Sequence, residues 1–298
     1  MTHTPIDRRI LGATGIAVSR VGVGTGTSGF TGVMAQAAMA PADFADILEY
    51  GYRNYGINLW DTAHTYGTYA HLRAGLARVP REGVVIVGKT GAASAKGALG
   101  DFEAALRGIG TGYLDVFMLH GVRGEREFRL KRGALEALVR LKEAGRIRAV
   151  GLSAHGLGGL RAGLHDPAIE VVFARMNYAG ACMDGPQKGI LATLAGIPAL
   201  KEAARRLIPK SLVPSLSGVV EAECALPVHQ EEALSLTRAI AEAGKGVLGM
   251  KLFGAGKLTA DPEAAYAFAR TRQEAAAFVI GVERLSDLDA AAAALGGV

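Results

Sequence analysis

The sequence predicts an α/β fold, a (β/α)8 TIM barrel with an N-terminal β-hairpin and an inserted segment between strands six and seven. Short apolar runs that suit buried strands alternate strictly with helical segments, which indicates parallel pairing. Hydrophobic residues make up 50% of the 298 positions, enough for one large core. Eight apolar runs are found, and they begin near residues 21, 58, 84, 114, 149, 171, 246 and 277.

The elements follow from local patterns. Residues 8–20 hold two short apolar runs around a turn with two glycines, which predicts the hairpin. The segment 132–143 has leucines along one side and a glycine just beyond its end, which is typical of an amphipathic helix. A further helix is expected to end near Leu106, and the others are expected over residues 41–55, 69–78, 157–164, 231–243, 262–270 and 285–295.

The longest interval between strand starts runs from residue 171 to residue 246. We predict a single barrel domain over residues 1–298 with an atypical insertion at 181–230. Proline and glycine recur in this insertion, and only residues 199–207 suit a helix.

Composition argues against several classes of function. The net charge of +5 is mild and no long Lys/Arg run occurs, so nucleic-acid binding is disfavoured and an anionic small molecule fits better. The two cysteines, Cys182 and Cys224, do not indicate a disulfide scaffold or a metal site. No uncharged apolar stretch reaches ~18 residues and no signal peptide is evident, so we expect a cytoplasmic protein without a membrane partner.

Titratable or polar side chains stand where successive predicted strands end. Asp61, Lys89, His120 and Ser153 close strands two, three, four and five, and Tyr66 lies in the loop after strand two. Sites in such barrels lie at the carboxyl ends of the strands. We therefore expect these side chains to converge at one rim.

Together these groups suit proton donation to a carbonyl oxygen. A phenol has a pKa of about 10, and an adjacent ammonium lowers it. We expect Lys89 to tune Tyr66 in this way, Asp61 to hold Lys89, and His120 to aim the carbonyl. Tyr66 would protonate the oxygen as a hydride arrives at carbon. The hydride must come from a cofactor, and no metal is needed.

Several collinear segments resemble the aldo/keto reductase family. The resemblance implies NADPH-dependent reduction of aldehydes or ketones to alcohols, or the reverse oxidation, with catalytic roles for Asp61, Tyr66, Lys89 and His120. The segments that carry it are residues 11–20, 56–67, 88–90, 113–120 and 145–153.

The resemblance also implies where a cofactor binds, with NADPH favoured over NADH. Thr25 and Asp61 are expected at the nicotinamide ribose, and Ser153 at the carboxamide. Further cofactor contacts follow the last two strands: Met250 where the family usually stacks an aromatic ring, Lys251 and Phe253 on the pyrophosphate loop, and Gly281 and Arg284 near the adenosine end.

The chain departs from the family where cofactor contacts are usual. The asparagine that often follows the serine is replaced by Ala154 and then His155, a glutamine on strand six is Phe173, and the adenine clamp of the last helix is Ala290 with neighbouring alanines. These losses leave open an alternative, a non-catalytic dinucleotide-binding barrel that acts as a sensor or partner subunit. His155 is itself a candidate for the pocket.

Two glycine motifs compete with this interpretation. Residues 24–29 fit G-x-G-x-x-G, but the next strand-end acid, Asp61, is too distant for a Rossmann fingerprint. Residues 254–257 suggest a P-loop, but Leu258 stands where Ser or Thr is required. We interpret the first as a loop lining the barrel mouth, and the second does not meet the requirements of a P-loop.

Overall fold

The computed structural model describes residues 4–27, 34–181, 183 and 230–296. Almost all of the predicted insertion at 181–230 lies outside these residues. The same holds for the helix expected at 199–207 and for both cysteines.

Eight parallel strands close into a barrel, which confirms the predicted fold class. Each strand pairs with its sequence neighbour, and the last pairs with the first. After the hairpin strands β1 (Arg8–Ile10) and β2 (Ala17–Ser19), the barrel strands are β3 (Val21–Gly24), β4 (Leu59–Asp61), β5 (Val85–Thr90), β6 (Leu114–Val122), β7 (Ile147–Ala154), β8 (Val171–Arg175), β9 (Gly246–Met250) and β10 (Ala277–Gly281).

Helices follow the strands in the order that the sequence predicts, with ends within a few residues of those expected. Within the described residues they are α1 (Pro41–Tyr55), α2 (Tyr69–Leu76), α3 (Ala95–Ile109), α4 (Glu125–Leu130), α5 (Arg132–Glu143), α6 (Leu157–His165), α7 (Gln230–Glu242), α8 (Pro262–Thr271) and α9 (Leu285–Leu295). Of these, only α4 was not expected. No helix in the described part of the chain is long and apolar enough to cross a membrane.

Alternation along the strands separates two apolar clusters. Leu59, Val87 and Met118 pack inside the barrel, whereas Trp60 and Phe117 face the helices. Side chains that continue an inward row past the last apolar residue therefore reach the interior of the mouth.

The hairpin closes the amino-terminal end of the barrel. Leu11, Ile16 and Val18 are fully buried and join the interior cluster. Gly12 has a φ of 57° and lies so close to β9 that a Cβ would sit 2.3 Å from the Gly246 nitrogen, which excludes any side chain there. The carboxyl ends of the strands lie at the opposite end of the barrel from the hairpin.

The described part of the glycine motif at 24–29, residues 24–27, does not belong to a Rossmann fold; residues 28 and 29 lie outside the residues that the structure describes. Gly24 ends β3, which pairs in parallel with β4 and β10 within the closed barrel. The next α-helix within the described residues is α1, which begins only at Pro41.

Strand β6 is longer than expected and irregular near its end. It continues past Leu119 to Val122, and its register against β7 shifts between these residues. Gly121 has a φ of 70°, a left-handed conformation that suits glycine. The irregularity lies directly beside His120.

Candidate active site

Asp61 and Lys89 form an ion pair inside the mouth. Asp61 continues the inward row of Leu59, and Lys89 continues that of Val87. Both side chains are buried, and Lys89 Nζ also donates to the Thr62 carbonyl at 3.0 Å. Burial raises the pKa of Asp61 and lowers the pKa of Lys89, and the opposite charge of the partner offsets each shift.

Tyr66 reaches this pair from the loop after β4. It ends the short 3-10 helix His64–Tyr66, and Gly67 turns the chain with a φ of 74°. The Tyr66 hydroxyl lies 3.4 Å from His120 Nε2, and the two rings are nearly perpendicular. Lys89 Nζ lies 5.1 Å from the centre of the Tyr66 ring. The structure thus brings together the four residues that the sequence singled out for proton transfer.

The pKa of Tyr66 differs from the expectation. Burial, and next the Asp61 carboxylate, raise the pKa of Tyr66 above its usual value. Asp61 balances the charge of Lys89, so the two effects that raise the pKa outweigh the lowering expected from the ammonium. The hydroxyl therefore keeps its proton at neutral pH.

His120 is neutral at physiological pH. Burial lowers its pKa to about 3, and the cations Lys89, Lys131, Arg123 and Lys251 add to the shift. The surrounding positive charge suits an anionic ligand or an oxygen that gains negative charge.

Threonine hydroxyls connect the ends of β3 and β4. The Thr25 amide and hydroxyl both donate to the Asp61 carbonyl at 3.0 Å. Thr25 Oγ1 also hydrogen-bonds Thr68 Oγ1 at 2.7 Å, which in turn hydrogen-bonds Thr62 Oγ1 at 3.0 Å. Sequence reasoning missed Thr68, since nothing in the sequence placed its loop against β3.

Ser153 suits a ligand contact. Ser153 is a buried residue of β7, and its Oγ makes no hydrogen bond within the described part of the chain. Buried hydroxyls normally have a partner. An amide or hydroxyl of a bound cofactor would satisfy it, so this position fits the carboxamide contact that the resemblance implies.

The other predicted cofactor residues lie at the ends of β9 and β10, which are neighbours in the barrel. Met250 ends β9 in register with Arg175, and Gly281 ends β10. Phe253 packs edge-on against Tyr266, and Arg284 precedes α9 with an exposed side chain. They therefore extend along the rim from Ser153 towards Thr25.

The loop after β9 contains an unusual backbone conformation. Lys251 and Ala255 have φ values of 57° and 58°, which non-glycine residues seldom adopt. Such residues concentrate at ligand sites. The finding is compatible with the implied pyrophosphate loop.

His155 and Arg175 extend the cluster. The His155 ring lies 5.8 Å from the His120 ring at 89°, and Arg175 Nη2 lies 2.9 Å from His155 Nδ1. His155 was a candidate from the sequence, whereas Arg175 was not predicted. The signal was present, because Arg175 continues the inward row of Val171 and Phe173 at a strand end. No cluster of three or more potential metal ligands occurs in the residues that the structure describes.

The fold and site define a (β/α)8-barrel protein whose acid–base side chains lie at the carboxyl ends of its strands. Residues 20–195 match the model of the aldo/keto reductase family. The chain belongs to this family, and it is accordingly an oxidoreductase.

Solved structures support the same fold. A Pseudomonas aeruginosa protein assigned to the aldo-keto reductases is 24% identical, with 99% of each chain covered and a TM-score of 0.69. The holo form of an aldo-keto reductase from Bacillus halodurans is 17% identical, with 99% of this chain and 92% of that chain covered and a TM-score of 0.67. A comparison with curated proteins finds no significant match.

Proposed function

We propose that this protein is an NADPH-dependent oxidoreductase that reduces an aldehyde or ketone to an alcohol, with Tyr66 as the general acid. The observation that carries the proposal is the convergence of the Tyr66 hydroxyl, His120 Nε2 and the buried Asp61–Lys89 pair at the barrel mouth. Family membership supports the class of reaction.

Residues along one arc of the mouth would hold the dinucleotide. Ser153 offers an unsatisfied buried hydroxyl to the carboxamide, and Thr25 and Asp61 lie where the ribose is expected. Met250, Lys251 and Phe253 would line the nicotinamide and pyrophosphate, and Gly281 and Arg284 the adenosine end. When bound, the cofactor supplies the hydride, which no side chain can provide.

The protein's part in the reaction is to position a carbonyl and give its oxygen a proton. Tyr66 is protonated at neutral pH and can donate to that oxygen. Neutral His120 can donate a second hydrogen bond from Nε2 and so orient the carbonyl. The Lys89 ammonium stabilises the phenolate that forms, and Asp61 keeps the ammonium in place.

The preference for NADPH over NADH rests on charge. Lys251 lies on the loop that the resemblance assigns to the pyrophosphate, which both cofactors carry. Arg284 lies near the adenosine end, where the 2′-phosphate of NADPH adds negative charge that this cation would pair with. Carbonyl reduction and the cofactor preference can be measured separately.

The proposal is tested with Tyr66→Phe and, as a matched control, Tyr113→Phe. Tyr113 precedes β6 at the opposite end of the barrel, where the Arg81 guanidinium stacks on its ring. We expect Tyr66→Phe to lower kcat by at least about 100-fold, the scale of a lost general acid. NADPH binding, followed by nicotinamide fluorescence, should be unchanged, and Tyr113→Phe should behave as wild type.

Wild-type turnover in Tyr66→Phe would contradict the assignment of the acid. If the wild-type protein binds NADPH but no aldehyde or ketone oxidises it, the non-catalytic dinucleotide-binding barrel is favoured instead.

A further inference from the structure

Three threonine hydroxyls form a directed chain at the ends of β3 and β4. Thr25 Oγ1 has a single hydrogen, which it donates at 3.0 Å to the Asp61 carbonyl, a group that can only accept. Thr68 must therefore be the donor in its 2.7 Å bond with Thr25. Since the Thr68 hydrogen is then used, Thr62 must be the donor in its 3.0 Å bond with Thr68. The hydrogens thus point from Thr62 through Thr68 and Thr25 to the Asp61 carbonyl.

This chain closes the loop that carries Tyr66. The loop joins β4 to α2, and Thr62 and Thr68 are its first and last residues. The bond between their hydroxyls ties the two ends together, and both side chains are fully buried. Lys89 Nζ donates to the Thr62 carbonyl at 3.0 Å, so the buried ion pair is tied to the same end of the loop.

Helix capping does not account for the Thr68 side chain. Thr68 is the N-cap residue of α2, a position where a threonine hydroxyl usually accepts a hydrogen bond from the first turn of the helix. Its side chain makes no such bond. The hydroxyl bonds Thr25 and Thr62 instead, so it holds the loop and β3 and not the helix.

The residue after Thr25 packs against the ring of Tyr66. A Cβ on Gly26 would lie 2.5 Å from two carbons of this ring, which is too close for any side chain. The bond between Thr25 and Thr68 therefore holds the backbone of Gly26 against the ring. A shift of the ring would change the position of the Tyr66 hydroxyl, which lies 3.4 Å from His120 Nε2.

We propose that Thr68 is a positioning residue for the carbonyl reduction, in that its hydroxyl holds the loop of Tyr66 closed and against the end of β3. The inference rests on the proposed function. Thr68 acts through Tyr66, because its own hydroxyl is fully buried and engaged with Thr25 and Thr62. Such placement matters for rate, since a shift of about 1 Å can cost on the order of 100-fold.

The experiment replaces the hydroxyl and keeps the shape of the side chain. Thr68→Val leaves the hydrogen of Thr62 without its acceptor and releases the loop from β3. We expect kcat at saturating NADPH and carbonyl to fall at least about tenfold, and Thr68→Ser, which keeps the hydroxyl, to retain most of the wild-type value. The matched control is Thr237→Val, which should keep wild-type kcat, because Thr237 is equally buried and its hydroxyl donates to the Leu234 carbonyl within α7.

The titration of Tyr66 is a second readout, and it does not require turnover. Burial is the main cause of the raised pKa of Tyr66, so a loosened loop should let this pKa fall towards about 10. The neighbouring groups Asp61, Lys89 and His120 are the same in both proteins. We label tyrosine with carbon-13 at Cζ, assign the Tyr66 signal by its absence in Tyr66→Phe, and expect it to titrate at lower pH in Thr68→Val than in wild type. A role of Thr68 in stability alone would leave this titration unchanged.

The outcomes separate the two proposals. If the wild-type protein reduces no aldehyde or ketone, the proposed function fails. If it is active and Thr68→Val keeps its kcat and its Tyr66 titration, only this inference is overturned. An equal fall in kcat for Thr68→Val and Thr68→Ser also overturns it, because the hydroxyl would then not be the cause.

A second variant decides if Thr68→Val does not fold. Thr62→Val removes the bond between the two ends of the loop, yet the directions of the chain leave each remaining hydroxyl hydrogen with its acceptor. We expect a smaller fall in kcat and the same direction of change in the Tyr66 titration. Wild-type kcat and wild-type titration in Thr62→Val would overturn the inference.

Discussion

Charge balance around Tyr66 sets the behaviour of the candidate acid. Asp61 balances the charge of Lys89, so burial and the Asp61 carboxylate outweigh the lowering effect of the ammonium on the pKa of Tyr66. The sequence predicted which residues meet, because each follows an apolar strand. It could not predict this pKa, since the burial of Tyr66 depends on how its loop packs against other strands and loops.

Removal of one partner of the buried pair should destabilise the fold. Lys89→Met leaves the Asp61 carboxylate buried without its counter-charge, and we expect a loss of about 3–5 kcal/mol in the free energy of unfolding. Adding Asp61→Asn should recover part of this loss. Lys142→Met, which breaks an exposed pair with Glu170, should cost less than about 1 kcal/mol. Urea unfolding measures all three, and equal losses for Lys89→Met and Lys142→Met would contradict the account.

The pH dependence of reduction follows from the shifted pKa values of Tyr66 and His120. The active form has Tyr66 protonated, and its raised pKa moves the loss of this form to above pH ~10. His120, with a pKa of about 3, stays neutral throughout the usual range. We therefore expect kcat/KM for the carbonyl, at saturating NADPH, to be flat from about pH 6 to 9. A fall in kcat/KM between pH 7 and 8 would contradict the raised pKa of Tyr66. A fall in kcat/KM below the ordinary histidine pKa would contradict the lowered pKa of His120.

At the scale of elements, the hairpin contributes stability but lies away from the candidate site. Leu11 is fully buried under the barrel, whereas its neighbour Ile10 is 56% exposed. We expect Leu11→Ala to lower the free energy of unfolding by about 2–5 kcal/mol and Ile10→Ala to have little effect. Both should keep wild-type kcat/KM while folded. A large loss of kcat/KM in folded Leu11→Ala would mean that the two ends of the barrel are coupled.

Most elements could be predicted because their patterns are local. The hairpin, the barrel strands and the long helices each show a regular spacing of apolar residues, a proline at the start or a glycine at the end. Helix α4 could not be predicted, since its six residues are mostly charged and lack an apolar stripe. The end of β6 could not be predicted either, because the register shift beside His120 depends on pairing with β7.

At the scale of the whole molecule, the barrel was predictable because strict alternation of eight apolar runs leaves few other closed arrangements. The position of the site followed from the barrel, because the carboxyl ends of its strands meet at one rim and polar residues at those ends therefore lie together. Arg175, which ends β8, was not among the predicted strand-end residues. Apart from the predicted helix at 199–207, the segment 181–230 shows neither a helical nor a strand pattern, so the sequence predicted no further elements there.

Cofactor preference should appear as a difference in thermal stability. A ligand at 100 times its Kd stabilises the folded state by about 2.7 kcal/mol, which shifts Tm by several degrees. We expect NADPH to raise Tm more than NADH at equal concentration. Arg284→Ala should reduce the NADPH shift towards that of NADH, and Arg129→Ala, an exposed arginine on α4, should not. Equal shifts for both cofactors in the wild-type protein would refute the preference.

The most direct test of the whole account follows one hydrogen. The protein is given NADPH deuterated at the transferable position of its nicotinamide together with an aldehyde, and the alcohol is examined by mass spectrometry. The account predicts one deuterium on the former carbonyl carbon with the wild-type protein, and almost none with Tyr66→Phe over the same time. An alcohol without deuterium, or equal labelling with both proteins, would contradict it.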